Sequence, residues 1–169
     1  MPTLKPGAEE RLMRRALRLA AKAAALGEVP VGALLIQGPL DIARPCVLAQ
    51  AHNVTEGRFD PTGHAEMQVL QRAAKRLKRW RLSDCTLLVT LEPCAMCAGA
   101  AVWARVGRIV YGAADPKAGA CGSVLQVAGH PKLNHRPQLQ GGVLEEECAE
   151  MLRGFFRARR RKQKSKQPG

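Results

Sequence analysis

The run Cys85-Thr86-Leu87-Leu88-Val89-Thr90-Leu91 carries no charged residue and shows no polar alternation, and it delivers the chain almost at once to Pro93-Cys94-Ala95-Met96-Cys97. A strand of that length without a polar face is buried on both sides, so its sheet needs helices above and below. Proline cannot continue a central strand but suits the first position of a helix, which predicts a strand feeding straight into a helix that opens with two cysteines.

The rest of the chain alternates in the same sense. A helix is predicted from Ala8 to Leu26, with Leu12, Ala16, Leu19, Ala23 and Leu26 as its apolar stripe and Gly27 as C-cap; Met1 to Gly7 is expected to be frayed. Val31 to Ile36 and Cys46 to His52 read as strands around a loop from Gly38 to Pro45. A polar connection from Asn53 through Gly63 leads to a helix over His64 to Leu77, with Met67, Val69, Leu70, Ala73, Ala74 and Leu77 inward. The cysteine helix ends near Gly107, and Arg108 to Tyr111 is a fourth strand. Gly112 to Ser123 is a glycine-rich loop lacking the Gly-Lys-Ser/Thr ending of a phosphate cradle, and is expected to wall the site. Val124 to Val127 is a short turn or strand and Gly141 to Leu144 a fifth strand. Glu145 to Arg160 is a helix burying Cys148, Met151, Leu152, Phe155 and Phe156. The reading is an α/β fold: a three-layer α/β/α domain, its central mixed sheet of about five strands flanked by helices.

At 169 residues the chain reads as a single domain over residues 1–169, ending in a basic, flexible tail at 157–169. Its six cysteines have no framework spacing and suit a reducing compartment. No apolar run reaches membrane-spanning length, and Glu9 and Glu10 interrupt any leader-like segment, so a cytoplasmic protein without a membrane partner is expected. The net charge of +13 points to a polyanion; seven of those positive charges lie from Arg157 to Lys166, leaving the body at +6. A basic tail alone is often a solvated, solubilising end; a basic body favours nucleic acid. Aromatic residues, at 4%, are too few for a long stacking platform, so a short structured RNA loop fits better.

Cysteines three apart at a helix start put both sulfurs on one face, where free N–H groups favour thiolates. Zinc accepts Cys sulfur and His nitrogen, and three protein ligands leave a fourth position for water. His64 is the best third ligand to Cys94 and Cys97. Glu66, two residues on, stands where a proton carrier for that water must be. A lone Cys-x-x-Cys also suits a structural zinc knuckle or a redox pair. A structural site wants a fourth ligand, yet Cys46, Cys85, Cys121, Cys148, His52, His130 and His135 form no second paired spacing; a redox pair gives no reason for His-Ala-Glu upstream. His-x-Glu followed by Pro-Cys-x-x-Cys is the signature of zinc-dependent base deaminases. Asn53 at a strand end is either an ordinary turn former or a ligand contact.

Glu28-Val29-Pro30-Val31-Gly32-Ala33, Asp60 to Glu66, Thr90 to Ala100 and Glu147 to Phe156 together resemble the bacterial tRNA-specific adenosine deaminases, within the zinc-dependent cytidine and deoxycytidylate deaminase superfamily, over nearly the whole chain. The resemblance implies a cytidine-deaminase-like fold. It also implies hydrolytic conversion of adenosine to inosine at wobble position 34 of an arginine tRNA, by a homodimer with one zinc per subunit. It makes His64, Cys94 and Cys97 the zinc ligands and Glu66 the proton shuttle. Asn53 contacts the flipped nucleoside, and Ala65 and Cys94 line the base through their backbones. Asp115, Lys117, His130, Asn134 and the Phe155-Phe156 end of the last helix face the anticodon loop, whose splayed bases enter a pocket at small unstacking cost. The chain departs from the commonest pattern in a longer stretch at Gln37 to Pro45 and in the uncharged Ala114. Two other functions are open to the same residues. A zinc-dependent deaminase of a free base or nucleoside (guanine, cytosine or cytidine) needs no basic body; a zinc-stabilised RNA-binding module without catalysis needs a fourth protein ligand.

Overall fold

The computed structural model describes residues 7–165. Its central strand is β3, Cys85–Leu91, buried over its first six residues as its uniform apolarity predicts. With β1 (Gly32–Gln37), β2 (Cys46–His52), β4 (Arg108–Ala113) and β5 (Gln138–Gln140) it makes one sheet in the order β2-β1-β3-β4-β5. β1 is antiparallel to both its neighbours, whereas β3, β4 and β5 run parallel, so the sheet is mixed.

Side chains of successive strand residues leave opposite faces, and two helix layers collect them. Leu34, Ile36, Leu88 and Val110 pack with Leu12, Met13 and Ala16 of α1 (Ala8–Ala25) and Cys148 of α5 (Glu145–Lys164). Leu35, Leu87, Val89 and Ile109 meet Val69 and Ala73 of α3 (Ala65–Leu77) and Ala98 and Ala101 of α4 (Ala95–Trp103) on the other side. The three-layer α/β/α expectation therefore holds. Each fully buried leucine or valine contributes roughly 1.5–3 kcal/mol, so these two cores fix the frame. α1 lies so close on β1 that a Cβ at Gly32 would overlap the backbone oxygen of Ala16, which explains glycine there.

The helix faces differ in detail from the periodicity reading. In α1 the buried face is Ala8, Leu12, Met13, Ala16, Leu17, Ala20 and Ala23, while Leu26 is 64% exposed because the helix ends at Ala25, beyond the sheet's cover. In α5 only Cys148 is buried and Phe156 is 39% exposed. Its first turns cover β4, and further along Leu152, Phe156 and Arg160 line a groove together with Val29, Leu91 and Pro116. α5 continues to Lys164, four residues past the expected helix end at Arg160, so the helix reaches into the basic stretch expected as a tail at 157–169. Glu145, Glu146 and Glu147 at its start and Arg161, Lys162 and Lys164 at its end complement the helix dipole, and Glu150 pairs with Arg153 and Arg157.

Residues 166–169 and all but the last residue of the expected frayed segment Met1 to Gly7 lie outside the described residues; Gly7 is the N-cap of α1, in the left-handed region at φ 90°. β5 precedes its expected place: Gly141 to Leu144 is instead the turn into α5, with Leu144 in the left-handed region at φ 53°. The segment Val124 to Val127 forms no element beyond a single bridge between Cys121 and Gln126. A short helix, α2 (Thr55–Arg58), interrupts the connection from β2 to α3.

Candidate metal centre and catalytic cleft

Two helix N-termini converge beside the end of β3. His64 is the N-cap of α3 and Cys94 the N-cap of α4, both with extended backbone, and Cys97 follows in the first turn of α4. Pro93 thus precedes the N-cap instead of occupying the first helical position, because Cys94 keeps an extended ψ of 174° and the helix starts at Ala95. N-cap side chains ordinarily bond the free N–H groups of their own helix; here neither does. They turn toward each other.

The Nδ1 of His64 lies 3.7 Å from the sulfur of Cys94 and 3.5 Å from that of Cys97, and the three donor atoms all lie within 4.8 Å of one another. In a tetrahedral site with zinc–sulfur bonds of about 2.3 Å and zinc–nitrogen bonds of about 2.05 Å, the sulfur–nitrogen edge is ~3.5 Å. The donor set therefore fits a tetrahedral divalent metal at three corners, and its soft sulfur and imidazole chemistry suits zinc. A hydrogen bond from Cys97 and another from His64 push the Cys94 thiol down to about 4, against the opposing effect of burial. The same bond with Cys94, and burial, push Cys97 upward, while the bond to Cys94 also raises His64.

Glu66 occupies the first turn of α3 and is only 4% exposed. Burial pushes its carboxyl up to about 7. Its Oε2 is a buried polar atom with no partner among the described residues, beside the three donors in a cleft of about 230 Å³. Buried acceptors are rarely left unmatched, and such an oxygen next to a three-donor set suits a group that exchanges protons with a ligand.

Asn53, at the end of β2 and 6% exposed, lines the same cleft. Its Oδ1 accepts the Ala65 N–H at 2.9 Å, the cap that His64 does not supply. Both readings of Asn53 thus hold in part: the carbonyl caps α3, which leaves the amide NH2 to donate into the cleft. Ala65 is fully buried, its N–H is engaged by Asn53 and its carbonyl accepts the first intrahelical bonds of α3, so it meets a base through the surface of its backbone, with no free donor of its own.

Glu92 was not singled out from the sequence. It is 1% exposed, between β3 and Cys94, and both its oxygens are filled by the loop 114–123. Oε1 accepts the N–H of Cys121 at 2.9 Å and of Ser123 at 3.1 Å; Oε2 accepts the Asp115 N–H at 3.0 Å and the Ser123 hydroxyl. Burial works to raise its carboxyl, but these donors outweigh it and hold it below its ordinary value. A Cβ on Gly119 would overlap the carboxyl group, so the loop closes on Glu92 only with glycine there. The one legible signal was an acid standing between an apolar strand and the metal helix. Glu28, 3% exposed at the cleft rim, works similarly, accepting the N–H groups of Glu56 and Gly57 at 3.0 and 2.7 Å to hold α2.

The remaining candidates separate. Asp115 lines the cleft, its Oδ1 accepting the Lys117 and Ala118 N–H groups at 2.9 and 3.2 Å. Lys117 and Phe156 lie in an adjoining groove of about 680 Å³, together with Arg153, Arg157 and Arg160; Asp115 borders both spaces. His130 and Asn134 line neither. They sit on an exposed loop, where His130 Nδ1 accepts the Lys132 N–H and the Asn134 carbonyl accepts a hydrogen bond from Arg105.

Comparison with known proteins gives a consistent result. The MafB19-like deaminase family matches residues 8–160. The tRNA-specific adenosine deaminase of Bacillus subtilis is 46% identical over 158 residues, covering 93% of this chain and 94% of that protein. The protein of the same name from Haemophilus influenzae is 46% identical, covering 92% and 87%. A solved structure from work on A-to-I editing by tRNA:A34 deaminases at the wobble position superposes with a TM-score of 0.76 at 41% identity, covering 84% of this chain and 99% of that one. The guanine deaminase of Nitrosomonas europaea, at 22% identity and a TM-score of 0.68 over 90% of this chain and 85% of its own, shares the fold.

Proposed function

The chain belongs to the MafB19-like deaminase family, and from that premise we infer that it hydrolyses adenosine to inosine at position 34 of tRNA anticodons. Water adds at C6 of the adenine, the amino group leaves as ammonia, and the ring keeps an oxygen in its place. We place the zinc on His64, Cys94 and Cys97, one per subunit; when bound, it supplies a water made acidic enough to attack near neutral pH. With the metal held there, Glu66 would take a proton from the attacking water, deliver it to N1 of the base and pass the second to the departing amine. Asn53 donates its free amide hydrogens to the nucleoside, and the backbones of Ala65 and Cys94 and the loop held by Glu92 wall the base. Asp115, Lys117 and Phe156 meet the neighbouring nucleotides. His130 and Asn134 are assigned to the outer anticodon loop on the family resemblance alone.

The observation that carries the chemistry is the unpartnered Glu66 oxygen beside a three-donor set. The choice of RNA over a free base is supported by the groove that adjoins the cleft, lined by Lys117, Arg153, Phe156, Arg157 and Arg160, which a lone nucleoside has no use for. An arginine tRNA as substrate rests on the family resemblance. We propose that the chain acts as one domain and as a homodimer, since Trp103, 79% exposed at the end of α4, and Val124 and Leu125, each about half exposed, offer apolar surface to a second copy. The cytoplasm is the compartment proposed, in keeping with six free cysteines. Among the described residues no helix is long and apolar enough to cross a membrane.

Incubation with an adenosine-34 anticodon stem-loop, free adenosine, cytidine, cytosine and guanine, following ammonia and the deaminated product, tests the reading. Inosine forms in the stem-loop and the free compounds stay unchanged. Turnover of guanine, cytosine or cytidine with an inert stem-loop replaces this function with a free-base or nucleoside deaminase.

A further inference from the structure

The free edge of the sheet at β2 is closed by side chains from both helix layers. From α3, Gln68 donates to the His52 carbonyl at 2.7 Å, Arg72 to that of Gln50 at 2.8 Å and Arg76 to that of Leu48 at 3.0 Å. Helix positions four apart thus meet strand positions two apart, which is how a helix laid along an edge matches its carbonyls. From α1, Arg15 reaches the Gln50 side chain, its Nε and Nη2 donating to Oε1 at 2.9 and 2.6 Å. Capping an edge in this way blocks unwanted strand pairing. Gln68 shows that a neutral side chain suffices for that, so the charge on Arg72 and Arg76 is surplus to it.

That charge is also uncompensated. Arg79, Arg108, Arg153, Arg157 and Arg159 each meet a carboxylate, but among the described residues none lies within 4.0 Å of Arg15, Lys22, Arg58, Arg72 or Arg76. A groove of about 600 Å³ runs beside the edge, with Lys22, His52, Arg58 and Arg72 in its walls, and Glu28 lines both it and the catalytic cleft. The Glu28 carboxylate between the two spaces is engaged by two backbone N–H groups, so it adds no free acid beside the basic row. Guanidiniums already held to the strand lose little further freedom when a phosphate takes their remaining N–H groups.

We propose that this row is a second RNA-binding surface, which receives the sugar–phosphate backbone of the tRNA stem leading away from the base in the cleft. It rests on the tRNA reading above. A paired stem presents phosphates and shape and hides its base edges, so positive charge without aromatic platforms is the matching chemistry.

The test is the triple variant Lys22→Gln, Arg72→Gln, Arg76→Gln, in which glutamines at 72 and 76 still offer an N–H to the Gln50 and Leu48 carbonyls, as Gln68 does to that of His52, and Lys22 makes no edge contact to lose. Binding and turnover are compared on an intact tRNA and on an anticodon hairpin closed by a minimal stem. On the intact tRNA, affinity falls about ten-fold at ~0.1 M salt and the slope of log K against log salt shrinks by about 2 to 3, with kcat unchanged. On the minimal hairpin both constants stay at wild-type values. An unchanged slope on the intact tRNA, or an equal loss on both RNAs, overturns the proposal. If the triple variant melts early, the single Arg76→Gln substitution carries the same test, with a slope change of about 1. Wild-type protein that binds but deaminates neither RNA counts against the functional reading, and the slope difference still decides the row.

Discussion

α4 and α5 are neighbours of the same site and are built on opposite terms. α4 is nine residues without a charge, and Cys97, Ala98, Ala101 and Val102 are buried, so its N-terminus is positioned by the core. α5 is twenty residues with one buried side chain, held by its first turns and by acid–base pairs along its own surface. Of the groups that must be placed to within fractions of an ångström, Cys94 and Cys97 stand on the first and His64 and Glu66 on the equally buried start of α3 beside it; on the proposed function, the groups that need only present charge to a polyanion stand on the second. Damage to the α4 side should therefore strike turnover, and damage to α5 should strike affinity and its salt dependence.

Glu66→Ala gives the largest effect. With no carboxylate to move protons, kcat on the stem-loop falls by roughly 10⁴-fold, the upper end for one acid–base group, since two proton transfers depend on it. Metal content by elemental analysis and the melting temperature stay near wild type, because His64, Cys94 and Cys97 are placed by their own helices. Retained deamination by this variant would falsify the role of Glu66. Loss of metal together with activity would instead mean that Glu66 helps to build the centre, and the contrast between the helices would lose its chemical half.

Glu92→Gln sharpens the boundary between placing and reacting. Whichever oxygen becomes an amide nitrogen then faces two donors it cannot accept, and leaving buried donors unmatched costs about 1–3 kcal/mol. The loop carrying Asp115 and Lys117 loosens, so KM for the stem-loop rises about ten-fold while metal content is unaltered; that factor corresponds to ~1.4 kcal/mol. A wild-type KM in a destabilised protein would reduce Glu92 to a fold element with no hand in substrate binding.

How much of this could be read in advance follows from how far apart in the chain each contact's partners lie. Cys94 and Cys97, and His64 and Glu66, are local pairs whose spacing alone sets their geometry, and they were legible. The cap that Asn53 gives Ala65 spans twelve residues and two elements. The loop that fills Glu92 begins more than twenty residues downstream, so nothing near Glu92 announces it. The buried strand β3 declared itself by composition, whereas β5, three residues at the sheet edge with an exposed first residue, has no periodic signal to find and was expected three residues late. The basic end of α5 read as a solvated tail because like charges repel; its partners lie outside it, Glu150 for Arg157 and Glu56 of α2 for Arg159, and the second is about a hundred residues away in the chain.

Truncation after Phe156 is the mildest of these changes and the one aimed most directly at α5. It removes every basic side chain from Arg157 to Lys166 but leaves Cys148, the Phe155 and Phe156 rings and the whole of α4 in place. The core is untouched, so the melting temperature shifts little, and kcat at saturating stem-loop stays within two-fold on the order expected when only uniform binding is lost. The salt slope of stem-loop binding falls by about 0.7 to 0.9 for each phosphate contact removed, a total of at least ~2 if three or more of the charges meet RNA. If the slope is unchanged, these charges only keep the protein in solution and the groove beside Lys117 and Phe156 acts through shape. If kcat collapses instead, α5 places the reacting groups after all, and the division of labour between the two helices is wrong.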